Sequence, residues 1–209
     1  MTALEIYRAL IKRGTAPALT LYGPSAGAPR LELSGNVVAN HAAKAANFLS
    51  DDIMLDPGQE LKLDLPAHWR LLTWALGGLL SGAHLSPDGD VVITNDPDAE
   101  GDDVVAVSLG ALDLSWPGDL PPMVIDGNAE LLGQADLLID ESNGAESNAA
   151  DLLERVEAEG DRLLLVDPSP DKLIAVFLGA MISGKSLVIT DEASREKALS
   201  AEGAVLYSS

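Results

Sequence analysis

Residues 163–186 read L-L-L-V-D-P-S-P-D-K-L-I-A-V-F-L-G-A-M-I-S-G-K-S, and residues 61–84 read L-K-L-D-L-P-A-H-W-R-L-L-T-W-A-L-G-G-L-L-S-G-A-H. Shifted by 102 residues, the two stretches register without a gap, and eight of 24 positions are identical. The pairs include Leu61 with Leu163, Pro66 with Pro168, Gly77 with Gly179 and Gly82 with Gly184. Leu and Gly are common, so identity alone carries little weight. The matching chemistry carries more: a short alternating run, a Pro-containing turn, then an apolar helix that stops at Ser-Gly. In the later copy Ser169 is placed to cap the helix, Pro170 has the φ suited to a first helical position, and Asp171 favours the positive end of the dipole. Leu173, Val176, Phe177, Ala180 and Met181 recur at helical spacing, and Gly184 is the residue expected just past a helix end.

Working outward, residues 187–190 and 91–94 are short apolar runs that read as buried strands. Each copy is then strand–helix–strand, a crossover that joins parallel strands with right-handed sense. Residues 4–12 form an amphipathic helix, and 18–22 with 30–33 form a hairpin around a Gly/Pro turn. Ser34 caps an Ala-rich helix running to about Phe48. Further strands are expected at 104–109, 123–125 and 137–139, and a polar helix at 148–159. The stretches 86–90, 95–103 and 141–147 read as loops. The fold class is α/β: a three-layer arrangement with a mainly parallel sheet and helices on both faces. Residues 1–209 are expected to form a single α/β domain, with repeat units at about 58–96 and 160–191.

Composition narrows the function classes. The 209 residues hold 33 acids against 13 bases, a net charge of −20, with 47% apolar residues. That apolar fraction is too high for disorder. The charge argues against nucleic-acid partners and anionic membrane surfaces, which reward clustered Lys and Arg. Zero cysteines exclude disulfides, Cys-zinc sites and thiol catalysis. The longest apolar runs, 71–80 and 173–182, are ten residues each, half a membrane span. Lys12 and Arg13 lead into a Gly/Ala/Pro stretch and not an apolar segment, so no signal peptide is expected, and the localisation expected is cytoplasmic.

Several motifs match on paper. Residues 179–186 fit the phosphate-loop pattern G-x-x-x-x-G-K-[ST], which needs a strand before it and a helix after it. Here the order is reversed, and a helix C-terminus presents carbonyls that repel phosphate. Residues 23–27, G-P-S-A-G, fit the nucleophile-elbow pattern around Ser25, but the turn leads to a strand where the elbow needs a helix. Asp96, Asp98, Glu100 and Gly101 mimic the start of a calcium loop whose twelfth position should be Glu and is Val107. His41, His68 and His84 lack partners at metal-ligand spacing. His68, at a helix start after Pro66, is a candidate to line a cleft at the strand ends. Trp69 and Trp74 read as core or cleft wall. No catalytic, cofactor or metal residue is assigned, and no cofactor is expected.

The stretch from Leu19 to Pro87 resembles the opening of the adenylate-forming superfamily, the AMP-binding acyl-CoA synthetases and adenylation domains. The resemblance rests on Arg30-Leu31-Glu32-Leu33-Ser34, the helix through Asn40-His41-Ala42-Ala43, the run from Pro57 to Pro66, and Leu76-Gly77-Gly78-Leu79-Leu80-Ser81-Gly82-Ala83. The later copy looks like that superfamily's second crossover. The superfamily's catalytic parts have no counterpart: its Ser/Thr/Gly-rich phosphate loop should fall between the crossovers, where residues 143–148 read N-G-A-E-S-N without Lys or Arg. The Tyr-Gly-x-Thr-Glu stretch, the ribose-binding Asp and the C-terminal domain with its Lys are also missing. Adenylyl transfer is largely charge stabilisation by cations and oriented amides. The resemblance therefore implies a non-catalytic, truncated homologue of the N-terminal subdomain, a binding or assembly module with a small acyl or nucleotide ligand and a homodimer contact. The alternative is an ATP-dependent enzyme or a subunit of an acyl-activating ligase.

Overall fold

In the computed structural model, residues 2–23 and 29–207 are described. Thr2 caps helix α1 (Ala3–Arg13) in a capping box with Glu5. Strands β1 (Pro17–Tyr22) and β2 (Arg30–Ser34) form the expected antiparallel hairpin. Ser34 then accepts from Val37 N to cap α2 (Gly35–Asp51), three residues longer than the Ala-rich run to Phe48 suggested.

The first repeat unit follows: β3 (Glu60–Asp64), α3 (Trp69–Leu80), β4 (His84–Leu85) and β5 (Val91–Thr94). After β6 (Asp103–Ala106), β7 (Ile125–Asp126), α4 (Gly127–Gly133) and α5 (Ala149–Leu152) comes the second: β8 (Arg162–Val166), α6 (Pro170–Ile182) and β9 (Ser186–Thr190). Helix α7 (Arg195–Glu202) and β10 (Val205–Leu206) complete the order.

The fold is α/β and mainly parallel, as the crossovers required. The strands divide into two five-stranded sheets, β10-β8-β9-β1-β2 and β4-β3-β5-β6-β7, so each repeat unit sits in a different sheet. Among the described residues, only the β1–β2 pairing is antiparallel. Helices α1, α2, α3 and α6 pack on one another between the sheets, and α7 covers the far face of the first sheet. Strand alternation explains that face: Leu163 and Leu165 point to the main core, whereas Leu164 joins Val188 and Ala198 beneath α7.

Every residue of α3 is buried, which fits a helix apolar all round. Small residues let it approach α2. A Cβ on Gly77 would lie 2.5 Å from the Ala45 methyl carbon, so only glycine fits that seam.

Three expectations need correction. Residues 137–139 are not a strand. The Asn47 side chain, on α2, takes over the pairing a neighbouring strand would supply, donating to Leu137 O at 3.0 Å and accepting from Ile139 N at 3.1 Å. Leu137 and Ile139 consequently face solvent. The polar helix expected over 148–159 is confined to Ala149–Leu152. Beyond it the chain is extended across α6, with Glu154 N donating to Ala175 O at 3.1 Å and Val156 buried. A polar helix there would bury nothing, so packing on α6 wins. The strand expected at 123–125 begins instead at Ile125, and Met123 lies fully outside at φ +72°.

Candidate functional site

Both repeat units end their first strand in a Pro-containing turn, and the fold brings the two turns together. Pro66 and Pro168, equivalent in the repeat, line one cavity of about 250 Å³ with Ala67, Asp167, Thr190 and Asp191. A larger cavity of about 470 Å³ is lined by residues that flank those turns, Lys62, Leu63 and Asp64 on β3 and Pro170, Asp171 and Ile174 on α6. The groove thus lies at the carboxyl ends of parallel strands, where open α/β sheets usually bind ligands.

Its walls are apolar and its charge is acidic. Asp64, Asp167, Asp171 and Asp191 line it, against one cation, Lys62. Two carboxylates serve the backbone: Asp167 accepts from Glu192 N at 3.1 Å, and Asp191 accepts from Ser194 N at 2.7 Å. Asp167 holds a left-handed φ of +43°, fixed by its amide donating to Thr190 O at 2.9 Å. Such a groove suits neutral or apolar groups and repels polyphosphate.

The phosphate-loop look-alike lies at the opposite end of the sheet. Gly184 follows the C-terminus of α6 at φ +73°, and Ser186 begins β9, whose far end, Thr190, reaches the groove. Lys185 donates from Nζ to Ala158 O at 2.9 Å and to Gly160 O at 2.5 Å. Arg13 bonds the Gly184 and Lys185 carbonyls at 2.6 and 2.7 Å. No amide cradle forms there. Ser25, of the nucleophile-elbow pattern, lies outside the described residues. The acidic loop after β5 is a turn in which Asp96 accepts from Asp98 N at 3.0 Å. Among the described residues no cluster of His, Asp or Glu is placed to hold a metal.

His84 is bound to Glu146 O at 2.8 Å. The other two histidines are brought together by the fold, which no sequence spacing announced. His41 and His68 both pack against Trp69, with ring centroids 5.0 and 5.7 Å away. His68 does not line the open groove. It is 2% exposed and caps α3 by accepting from Arg70 N at Nδ1, at 3.2 Å. Burial, and next the neighbouring Arg70, push both imidazoles down to about 4, so both are neutral near pH 7.

Sequence reasoning also missed a polar network under the 108–116 segment. Asn128 accepts from Ser108 N at 3.1 Å and donates to Asp113 O at 2.9 Å, while Asp126 accepts from Trp116 N at 2.8 Å. The sole sequence signal was Asp126-Gly127-Asn128 as a helix start.

Solved structures of similar shape define the class. Brucella canis acyl-CoA synthetase superposes with a TM-score of 0.72 at 13% identity, covering 99% of this chain and 47% of that one. Acetoacetyl-CoA synthetase from Streptomyces lividans gives 0.69 at 14%, covering 97% and 41%. The inhibitor-bound N-terminal domain of FACL13 from Mycobacterium tuberculosis gives 0.66 at 14%, covering 98% and 62%. The chain has the fold of an acyl-CoA synthetase N-terminal region and spans about half the length of those full synthetases. No family model matches it. A Mycobacterium tuberculosis protein described as a TIGR03089 family protein is 30% identical over 199 residues, covering 82% of each chain. The chain belongs to the TIGR03089 family. No helix among the described residues is long and apolar enough to cross a membrane.

Proposed function

We propose that this chain is a non-catalytic, cytoplasmic binding or assembly module built on the fold of the synthetase N-terminal region. One observation carries the reading: the groove between the two repeat units is apolar and acidic, while the sole phosphate-loop pattern is a helix C-cap whose lysine is tied to main-chain carbonyls. Phosphoryl and adenylyl chemistry needs cations and converging amides where charge develops. The larger cavity would take a small acyl group, or the uncharged part of a nucleotide, against Leu63, Leu85 and Ile174.

Assembly through a second copy is the other half of the proposal. Leu112, Leu114, Met123, Leu137 and Ile139 are apolar side chains each at least 65% exposed, surface that a second copy would cover. Light scattering at increasing concentration is expected to give twice the monomer mass, and a constant monomer mass removes that half. The net charge of −20 is the ground for expecting no nucleic-acid partner.

The test of the binding half is a thermal-shift titration with Mg-ATP, AMP and a short acyl-CoA. A ligand at a hundredfold excess over its Kd should raise the melting temperature by roughly 5–10 °C in a chain of this size. A shift with AMP or the acyl compound, unchanged in Lys185→Ala, is the expected result. An ATP shift that vanishes in Lys185→Ala would overturn the non-catalytic reading and favour an ATP-dependent enzyme or ligase subunit.

A further inference from the structure

The two repeat units place a cation at the same position of their helices, Arg70 and Lys172, 102 residues apart. Each lies in the first turn, where the helix dipole is unfavourable to positive charge. In the second unit the fold supplies the counter-charge. Lys172 is 2.6 Å from Glu154, whose carboxylate also accepts from Tyr207 at 2.6 Å, and the pair is partly exposed. In the first unit the cation is 5% exposed and makes no ion pair among the described residues. Its one hydrogen bond goes from Nη2 to Asp113 O at 2.6 Å. The Asp113 carboxylate is bound by Ser108, and that of Asp126 by the amides of Trp116, Asn128 and Ala129. Burial pulls Arg70 down to about 10, only partly offset by those two acids.

Among the described residues, three buried N–H donors at this turn have no protein acceptor: His68 Nε2, Trp69 Nε1 and Arg70 Nε. The tautomer of His68 follows from its cap. Because Nδ1 accepts from Arg70 N, the neutral ring carries its proton on Nε2 and can only donate there. The three side chains are adjoining, with the guanidinium 4.5 Å above the Trp69 ring and the His68 ring 5.7 Å from it. A buried donor left unpaired is destabilising, and an unpaired buried charge more so. Of the chain's 33 acidic residues, Asp113 and Asp126 act on this cation from a distance, and none pairs with it among the described residues.

We propose that the His68–Arg70 turn at the start of α3 binds a small monovalent anion, which takes the place that Glu154 fills beside Lys172. The donors are closed off from solvent, which limits the occupant to a halide or formate-sized carboxylate. The 108–116 segment, joined to Arg70 through Asp113 O, is its way in. This site stands apart from the groove and does not depend on what the groove holds.

The experiment is a melting-temperature series at fixed sodium and fixed ionic strength, replacing gluconate by chloride or by formate. Fixed ionic strength removes the general screening that any salt gives so acidic a chain. The expected result is a saturable rise with chloride or formate, roughly 5–10 °C at a hundredfold excess over Kd, that is lost in Arg70→Met and reduced in Trp69→Phe. A response to chloride alone marks a halide site, and one to formate alone a carboxylate site. Identical melting in all three salts overturns the proposal, as does a chloride or formate shift that persists in Arg70→Met. Should Arg70→Met fail to fold, crystals of the unmodified chain soaked in the anion that raised its melting temperature, with bromide standing for chloride, decide it: bound density at the turn supports the site, and an empty turn overturns it.

Discussion

The repeat units share a plan and differ in what surrounds them. Helix α3 is enclosed on every side between the sheets, whereas α6 leaves its first turn and its C-cap near solvent. The enclosed helix carries indoles at two positions where the other does not, Trp69 for Asp171 and Trp74 for Val176, while the one reverse exchange of an aromatic is Ala75 for Phe177. The same backbone motif thus serves as central core in one sheet and as a peripheral crossover in the other. Burial depth, and not secondary structure, separates them.

The largest effect should come from truncating the enclosed helix. Trp74, packed edge-on against Phe48 at 6.0 Å, is expected to cost about 3–5 kcal/mol as Trp74→Ala. Val176→Ala should cost about 2 kcal/mol, from its two methyl groups. Equal urea-unfolding losses for the two would erase the contrast in burial.

Glycine sharpens it next. A Cβ on Gly179 would sit 1.9 Å from Glu154 O, a main-chain atom, against 2.5 Å from a methyl carbon at Gly77. Gly179→Ala is expected to lose roughly 3 kcal/mol, the upper end of overpacking, and more than Gly77→Ala. A tolerated Gly179→Ala would mean that the 153–156 crossing is loosely held.

The pH dependence belongs to the first unit and its neighbour α2. His41 and His68 titrate near 4 when folded and near 6.5 when unfolded, so the unfolded chain binds the extra protons between those values. Stability is therefore full above pH 6.5 and falls as pH drops toward 4, by up to about 1.4 kcal/mol per pH unit for each histidine. Between pH 6.5 and 5 the effect precedes most carboxylate titration. Denaturation midpoints across that interval should flatten in His41→Leu combined with His68→Asn, where Asn keeps the cap acceptor. An unaltered slope in that variant would assign the loss to other groups.

The smallest change is expected at the second unit's ion pair. Lys172→Met should cost under about 1 kcal/mol, since Lys172 and Glu154 are about a quarter to a third exposed. A loss several times larger would place that pair among the buried ones.

Much of this architecture was legible in the chain. The caps Ser34 and Ser169, Pro170 at the helix start and Gly184 at its end are local signals, decided within a few residues of backbone. The irregular segments were not. Residues 137–139 had a strand's composition, yet Asn47, some ninety positions away, supplied their hydrogen bonds. Residues 153–156 had a helix's composition, yet a glycine on α6 admitted them as an extended chain. The groove was half legible: Pro66 and Pro168 were visible as equivalents, but nothing local said that their turns would share one cavity.

The division has one physical cause. Helix periodicity, caps, Pro and Gly act through short-range sterics and hydrogen bonds, so the amino-acid order alone decided the elements, their repeat and their parallel sense. The split into two sheets, the enclosure of α3, the meeting of His41 with Trp69 and the unpaired charge of Arg70 depend on partners far along the chain. Folding brings those partners close, and packing between the sheets determines which polar groups find an acceptor and which do not.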